Sequence, residues 1–317
     1  MKETKGDNFK STFDDDIDLQ EILYILIQGK WIIILVTTFI CLIGLIYSLL
    51  MPNIYESKAI LVPADSSSNI SGAIQNYGSL ASLAGINLPN QSIESNSEQA
   101  FEKLSSLSFF ENNIMPNIFL PDLMAIKSWD YERNVITYDE SIYDIESNNW
   151  VREYSYPRKQ TPSAQESFEL FQENTISISE DIKTGFITLA VKHQSPFIAK
   201  EWVDLIIKEI NAFYRQKDKI ESQIAADYLN SQMAMTDLSE IKQVIAELLK
   251  QETQKLTLIE AKQFYVYDFI DPPAVMELKS EPRRFMIFII FTFLGFMLGI
   301  FITIVKYFVY SKTDSSI

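Results

Sequence analysis

Two stretches of the chain decide its architecture: WIIILVTTFICLIGLIYSLLM, from Trp31 to Met51, and FMIFIIFTFLGFMLGIFITIV, from Phe285 to Val305. Each stretch has 21 residues, and neither contains a charged side chain. A helix needs about 20 apolar residues to cross the ~30 Å hydrocarbon core of a bilayer. Buried helices of soluble proteins seldom stay uncharged on every face over this length. The pattern therefore predicts two transmembrane helices.

The residues before the first span argue against a cleaved signal peptide. They read FDDDIDLQEILYILIQGK, from Phe13 to Lys30, and this acidic segment precedes an apolar run that no A-x-A cleavage site follows. We interpret it as a short amphipathic helix in front of an anchor. The predicted organisation is an N-terminal tail (1–30), a first span (31–51), a large domain (52–284), a second span (285–305) and a C-terminal tail (306–317).

Charges beside the spans give a weak preference for orientation. Lys30, Lys306 and Lys312 flank the spans on the terminal side, whereas Arg283 and Arg284 stand on the domain side of the second span. Only charges close to the span ends influence orientation strongly. The balance mildly favours both termini in the cytoplasm and the large domain outside it.

The composition of the large domain limits its partners. Residues 52–284 contain 21 Lys+Arg and 34 Asp+Glu, a net charge of −13. This acidity argues against nucleic acid or an anionic membrane surface as the main partner of the domain, because negatively charged partners are bound by basic surfaces. The one cysteine, Cys41, lies in the first span, so no intrachain disulfide is predicted.

Strand and loop patterns open the large domain and recur in its middle. Tyr55 to Val62 alternates and is rich in strand formers. Residues 65–96 are rich in Ser, Asn and Gly around an apolar island from Ser79 to Ile86, which predicts a mobile loop with a weakly docked centre. The alternation between Ile176 and His193, with Lys183-Thr184-Gly185 at its middle, predicts a β-hairpin.

Three N-terminal signals predict helices. Ser95 with Glu98, and Ser163 with Glu166, have capping-box spacing. Ser195-Pro196 supplies an N-cap and a first-turn proline for a third, much longer helical stretch.

The long helical stretch carries a regular apolar stripe. Its residues recur every three or four positions: Ile198, Trp202, Leu205, Ile206, Ile210, Phe213, Ile220, Ile224, Leu238, Ile241, Ile245 and Leu248. No Pro or Gly occurs between Pro196 and Pro272, so one continuous helix is possible. Because both ends of the domain must return to the membrane, we favour a helical hairpin that turns within Asn230–Asp237. Phe264 to Ile270 then reads as a strand.

Residues for catalysis are scarce. The single histidine, His193, has no Cys or His partner in a metal-ligand spacing, and we expect an exposed strand end or a helix-cap neighbour. The acidic residues are spread along helices, as on a solvated face. No G-x-x-x-x-G-K-[ST] sequence occurs. We predict no catalytic, cofactor-binding or metal-binding residues and interpret the chain as an interaction or scaffold protein.

Two motifs at the membrane look functional. The junction before the second span, DPPAVMELKSEPRR, combines stiffening prolines with arginines that can reach lipid phosphates. Its candidate residues are Asp271, Pro272, Pro273, Pro282, Arg283 and Arg284. Gly295 and Gly299 form a small-xxx-small surface for close helix packing, and we expect it to mediate self-association.

The layout resembles the Wzz family of polysaccharide chain-length determinants, also called polysaccharide co-polymerases. The segments that carry the resemblance are IDLQEILYILIQGKW, YESKAILV, SPFIAKEWVDLIIKEINAFYR, FYVYDFIDPPAVMELKSEPRR and, for the O-antigen branch, WVREYSYPRKQTPSAQESFELF. The junction departs from the family's spacing of prolines by three, since Met276 and Lys279 stand at the middle positions.

The resemblance implies an α+β membrane protein with a periplasmic α/β base, a long helical hairpin and two flanking transmembrane helices. It implies a bacterial inner-membrane protein whose copies form a ring and set the modal length of O-antigen or a related glycan. The implied partners are a separate polymerase and membrane lipid, with lipid-linked glycan as a further candidate. Without a C-terminal nucleotide-binding region, the chain resembles the kinase-free members.

Two alternatives stay open at the level of the sequence. The chain could activate a separate cytoplasmic tyrosine kinase in capsule or exopolysaccharide export, or it could modify a glycan as an enzyme. A kinase encoded beside it would favour the first alternative, and a purified domain that alters a lipid-linked glycan would favour the second.

Overall fold

A computed structural model describes residues 19–64 and 96–314 of the chain. These described residues divide into two compact units, one within 1–52 and 281–317 and the other within 53–280. The predicted loop with the apolar island from Ser79 to Ile86 lies outside the described residues, and so does Ser95 of the first capping box.

The first unit is helical and contains both apolar segments. Helix α1 spans Leu19–Gln28, α2 spans Lys30–Leu50, and α9 spans Arg284–Asp314. The mean hydropathy reaches 2.7 in α2 and in Arg284–Tyr307 of α9. Both helices are long and apolar enough to cross a membrane. The two apolar helices that the sequence predicts are therefore present.

The second unit is built on a four-stranded antiparallel sheet. Strands β1 (Tyr55–Pro63), β6 (Ile176–Asp181), β7 (Phe186–His193) and β8 (Tyr267–Asp271) lie in the order β6-β7-β1-β8. The predicted hairpin is confirmed, because β6 and β7 pair from Ile176↔Val191 to Asp181↔Phe186. Gly185 takes a φ of 68° at its turn, a conformation that glycine adopts without steric cost.

Shorter elements connect β1 with the hairpin. They are the helices α3 (Asn96–Leu104), α4 (Leu107–Phe109), α5 (Leu120–Met124) and α6 (Ala164–Leu170), the π-helical turns Phe110–Ile114 and Phe171–Thr175, the 3₁₀ turn Met115–Asn117, and the strand pairs β2 (Ile126–Asp130) with β3 (Val135–Tyr138) and β4 (Tyr143–Asp144) with β5 (Asn149–Trp150). Their apolar side chains join the sheet in one core.

Two long helices follow the sheet hairpin. Helix α7 spans Pro196–Met235 and α8 spans Ser239–Ala261, with an extended break at Thr236–Leu238. The helices run antiparallel, since Lys219 Nζ of α7 lies 2.5 Å from Glu260 Oε1 of α8. At about 1.5 Å per residue, the 40 residues of α7 measure ~60 Å. The break starts near the end of the segment in which the sequence favours a turn.

The two predicted serine caps behave differently. The backbone N–H of Glu166 donates to Ser163 Oγ at 3.2 Å, as a capping box requires. The Glu166 carboxylate instead meets the Arg152 guanidinium, which lowers the pKa of Glu166. Ser195 is the N-cap residue of α7 and Pro196 lies in the first turn, as predicted, but the Ser195 side chain makes no cap bond. The Ser195 backbone N–H donates to His193 Nδ1 at 2.9 Å.

Candidate functional site

The junction residues form an extended segment that lies beside the start of β1. Asp271 ends β8 opposite Ile60, and the Ser57 hydroxyl donates to the Ala274 carbonyl at 2.8 Å. Farther along, the Ser280 backbone N–H donates to the Ile54 carbonyl at 2.8 Å. The two connections to the apolar helices are therefore joined by hydrogen bonds within the second unit.

The prolines and arginines of the junction occupy different environments. Pro273 and Pro282 are buried, whereas Pro272, Arg283 and Arg284 are exposed. The Arg283 carbonyl accepts backbone bonds from Met286 at 2.9 Å and Ile287 at 3.2 Å, so the arginine backbone opens the first turn of α9. The exposed side chains of Arg283 and Arg284 stay the candidates for contact with lipid phosphates.

Gly295 and Gly299 lie against the first apolar helix of the same chain. A Cβ atom built on Gly295 would stand 3.0 Å from Thr37 Cα, and one built on Gly299 would stand 2.9 Å from Ile33 Cα. Both distances are too short for a larger residue, because the neighbouring atoms belong to backbone. In the single chain, α2 packs against the face that these glycines form, and self-association through them stays a prediction.

A buried asparagine holds the returning chain in place. Asn211 Oδ1 on α7 accepts from the backbone N–H groups of Tyr265, Val266 and Tyr267 at 2.9, 2.7 and 3.1 Å. Its Nδ2 donates to the Ile207 carbonyl at 2.9 Å and to the Tyr267 carbonyl at 3.2 Å. One side chain therefore satisfies five backbone groups where the chain passes from α8 into β8.

Two turns farther along α7, a buried carboxylate joins three segments. Asp218 Oδ2 accepts from the Tyr265 hydroxyl at 2.5 Å and from Asn96 Nδ2 at 2.8 Å. Asp218 is buried, and its negative charge contributes to raising the pKa of Tyr214, after the larger effect of burial. The start of α3, the middle of α7 and the residues after α8 meet at this carboxylate.

Sequence reasoning missed both of these polar side chains. Asp218 was taken with the other acidic residues as part of a solvated helix face, and Asn211 was not singled out. Both fall on the face that also carries Ile207 and Tyr214. The signal that could have found them is their spacing of three and four residues from those apolar neighbours.

His193 is 7% exposed and accepts a hydrogen bond from the N-cap residue Ser195, so it is a helix-cap neighbour and not an exposed strand end. Its Nδ1 accepts from the Ser195 N–H, and its Nε2 lies 3.0 Å from the Asp122 carbonyl, to which it donates in this tautomer. Its ring packs on Trp202 with centroids 5.2 Å apart. Burial lowers the pKa of His193, against the smaller opposing effect of its backbone hydrogen bonds. Both ring nitrogens are used by backbone, so this histidine organises the start of α7.

Within residues 19–64 and 96–314, no group of three or more His, Cys, Asp and Glu side chains is arranged to hold a metal ion. The far part of the helical pair carries apolar side chains that are exposed to solvent. We call its exposed apolar side chains the distal stripes; they are Ile220, Ile224 and Tyr228 on α7 and Ile241, Val244 and Leu248 on α8.

Comparison with known proteins supplies one family match and two structural likenesses. Residues 15–109 match the family model described as Wzz: Chain length determinant protein. A solved full-length bacterial polysaccharide co-polymerase is 14% identical, with 94% of this chain and 99% of that chain covered and a TM-score of 0.44. A fragment of WzzB, a polysaccharide co-polymerase from Salmonella Typhimurium, is 13% identical, covering 72% of this chain and 100% of that chain, with a TM-score of 0.33.

A search of curated proteins found no match. The match over residues 15–109 confirms the resemblance of this chain to the Wzz family of chain length determinants.

Proposed function

We propose that this chain is a non-catalytic, oligomeric scaffold that sets the modal length of O-antigen or a related surface polysaccharide made by a separate polymerase. The observation that carries the proposal is the match of residues 15–109 to a family of chain length determinants. In this proposal the apolar helices anchor the chain in a bacterial inner membrane, with both termini in the cytoplasm. Residues 52–284 form a periplasmic domain, in which the sheet is the base and α7 with α8 is the hairpin that rises from it.

The distal stripes support an assembly of several copies. Ile224 is 64% exposed and Tyr228 is 62% exposed, although both continue the apolar spacing of α7. Contact with a neighbouring copy or with the polymerase would remove such side chains from water, and burial of an apolar side chain typically contributes about 1.5–3 kcal/mol. A ring built side by side through the hairpins uses these positions.

The junction supports a role in transmitting or fixing this geometry at the membrane. The hydrogen bond between Ser280 and Ile54 ties the two connections together, and the exposed Arg283 and Arg284 suit contact with lipid phosphates. Asp271, Pro272, Pro273 and Pro282 set the path of the backbone between these points.

Deletion of the protein followed by separation of the surface polysaccharide by size tests the function. Complementation with the wild-type chain should restore a defined modal length. Tyr228→Ser and Val244→Ser, expressed at equal levels, should shift that length in graded steps. Gln223→Ser, a polar exposed position on the same helix, is the matched control and should leave the profile unchanged.

Two results would contradict this function. Variants that are each either normal or inactive, with no intermediate lengths, would oppose a scaffold whose geometry sets the output. A deletion that abolishes tyrosine phosphorylation of a cytoplasmic kinase and leaves polysaccharide length unchanged would favour the kinase-activator alternative.

A further inference from the structure

Three aromatic rings contact one another at the edge of the second unit, where the chain enters it. Tyr55, the first residue of β1, meets Trp129 of β2 edge-on, with centroids 5.4 Å apart and an interplanar angle of 80°. Trp129 in turn lies 6.4 Å from Phe197, in the first turn of α7. Phe197 is 48% exposed, and Tyr131, beyond the end of β2, is 73% exposed. We call Tyr55, Trp129, Tyr131 and Phe197 the aromatic edge.

Covalent connection limits how far this edge can stand from the bilayer. Tyr55 follows Met51, the end of the first apolar run, by four residues, and a fully extended chain covers at most about 3.6 Å per residue, or ~14 Å. On the other connection, Ser280 precedes Phe285 by five residues, which reach at most ~18 Å. Because the Ser280 N–H donates a hydrogen bond to the Ile54 carbonyl, both distance limits apply to the start of β1.

The sheet register brings the remaining rings to that place. Tyr55 pairs with His193, the last residue of β7, so the start of α7 with Phe197 lies beside the first residue of β1. The headgroup layer on each side of a bilayer is about 5–8 Å thick. An edge tethered within ~14 Å of the hydrocarbon by one connection is therefore within reach of that layer.

We propose that the aromatic edge contacts the lipid headgroup layer of the membrane in which the chain is anchored. Trp and Tyr are enriched at this depth because their rings are amphipathic. The Trp129 indole N–H is already satisfied by Asn134 Oδ1 at 2.9 Å, so its ring can enter the interface without leaving a polar group unpaired. The same strand pair presents Lys127 and Arg133, both exposed, to lipid phosphates.

Two acidic residues beside the aromatic edge make hydrogen bonds within its turn, and Glu132 Oε1 accepts from the Tyr131 hydroxyl at 3.1 Å. The Asp130 carboxylate accepts from the backbone N–H groups of Glu132 and Arg133 at 2.9 and 3.3 Å, so it stabilises the turn. Sugar rings also stack on exposed aromatic side chains. The two short tethers favour lipid over a polysaccharide at this edge.

The test is quenching of tryptophan emission by brominated lipid. The full-length chain carrying Trp31→Phe, which removes the tryptophan of the first span, is reconstituted in dioleoylphosphatidylcholine or in its 6,7-dibromo analogue. Three tryptophans remain, Trp129, Trp150 and Trp202, so complete quenching of one removes about a third of the emission. We expect a loss of this order in the brominated bilayer and its disappearance when Trp129→Phe is added.

Trp150→Phe in the same background is the matched control and should retain the quenching. Tyr131→Trp, added to Trp31→Phe with Trp129→Phe, changes a highly exposed side chain and should restore quenching even if Trp129→Phe perturbs the local fold. Emission that brominated lipid leaves unchanged in both the Trp129 protein and the Tyr131→Trp protein overturns the proposal. Emission that is insensitive to brominated lipid and shifts with lipid-free polysaccharide from the host overturns it in favour of sugar binding.

Discussion

The two halves of helix α7 carry apolar side chains at the same spacing but in different surroundings. In the proximal half, Trp202, Ile206 and Ile210 are buried against the sheet and the short helices. In the distal half, Ile224 and Tyr228 remain exposed, although α8 runs alongside. Spacing identifies the apolar face of a helix and leaves open what covers that face. We therefore expect the proximal half to set the stability of the domain and the distal half to set its interactions.

The largest effect is expected from Asn211→Ala in the proximal half. The substitution leaves three buried backbone N–H groups without their acceptor, and each costs about 1–3 kcal/mol before the chain relaxes. We expect the free energy of unfolding to fall by about 4 kcal/mol. Urea unfolding of the full-length chain in detergent, followed by near-ultraviolet circular dichroism, measures the change.

Gln216→Ala on the exposed side of the same helix is the control and should change stability by less than about 0.5 kcal/mol. If Asn211→Ala proves as stable as this control, the five backbone contacts of Asn211 contribute nothing, and the contrast between the halves loses its main support.

Ile206→Ala should have the next largest effect. Ile206 is 1% exposed within the core, and removing buried methyl and methylene groups typically costs 2–5 kcal/mol. We expect about 3 kcal/mol in the same urea experiment. Leu205→Ala should cost clearly less, since Leu205 is only partly buried. Equal losses for the two variants would show that the stability contribution of a side chain in the proximal half does not depend on its burial.

The pH dependence of stability reports on His193, which packs on Trp202 in the proximal half. Burial lowers its folded pKa below the usual value of about 6.5, so the unfolded chain binds the proton more readily. Stability should therefore be fully present above about pH 6.5, decrease as the pH falls below it, and level off once the folded histidine is also protonated. The slope cannot exceed about 1.4 kcal/mol per pH unit for one group.

His193→Gln removes this titration and isolates it from the carboxylates. Nearby, burial raises the pKa of Asp122, whose carboxylate accepts from the Tyr138 hydroxyl, and that group remains in both proteins. The difference between the two stability curves should rise with pH up to about 6.5 and be flat at higher pH. A difference that is flat throughout would mean that the folded histidine has an ordinary pKa.

Local patterns predicted much of the fold. The charge-free runs gave the two apolar helices, and alternation around Lys183-Thr184-Gly185 gave β6 and β7, because in both cases a few adjacent residues specify the structure. Ser163 capped its helix as its spacing predicted. Ser195 also stands at the N-cap of its helix but makes no side-chain cap bond, and the sequence contains no sign of this difference.

Tertiary partners were harder to predict. The spacing of Gly295 and Gly299 indicated close helix packing but not that the neighbour is α2 of the same chain. Leu205 was chosen as a core position from its period, whereas Ile206 and Ile207 are the more buried residues. These outcomes depend on long-range packing that a single sequence does not contain.

Ile224→Ala should have the smallest effect on stability. The substitution removes the same groups as Ile206→Ala, from the same helix, but at a position 64% exposed to solvent. Because the folded and unfolded chains both leave this side chain largely in water, we expect a change within about 0.5 kcal/mol. The pair thus holds chemistry and helix constant and varies only burial. A loss near 3 kcal/mol, like that of Ile206→Ala, would show that the distal stripe is covered in the isolated protein. A near-zero loss together with a shifted polysaccharide length would show that the distal half serves interactions and not the stability of the domain.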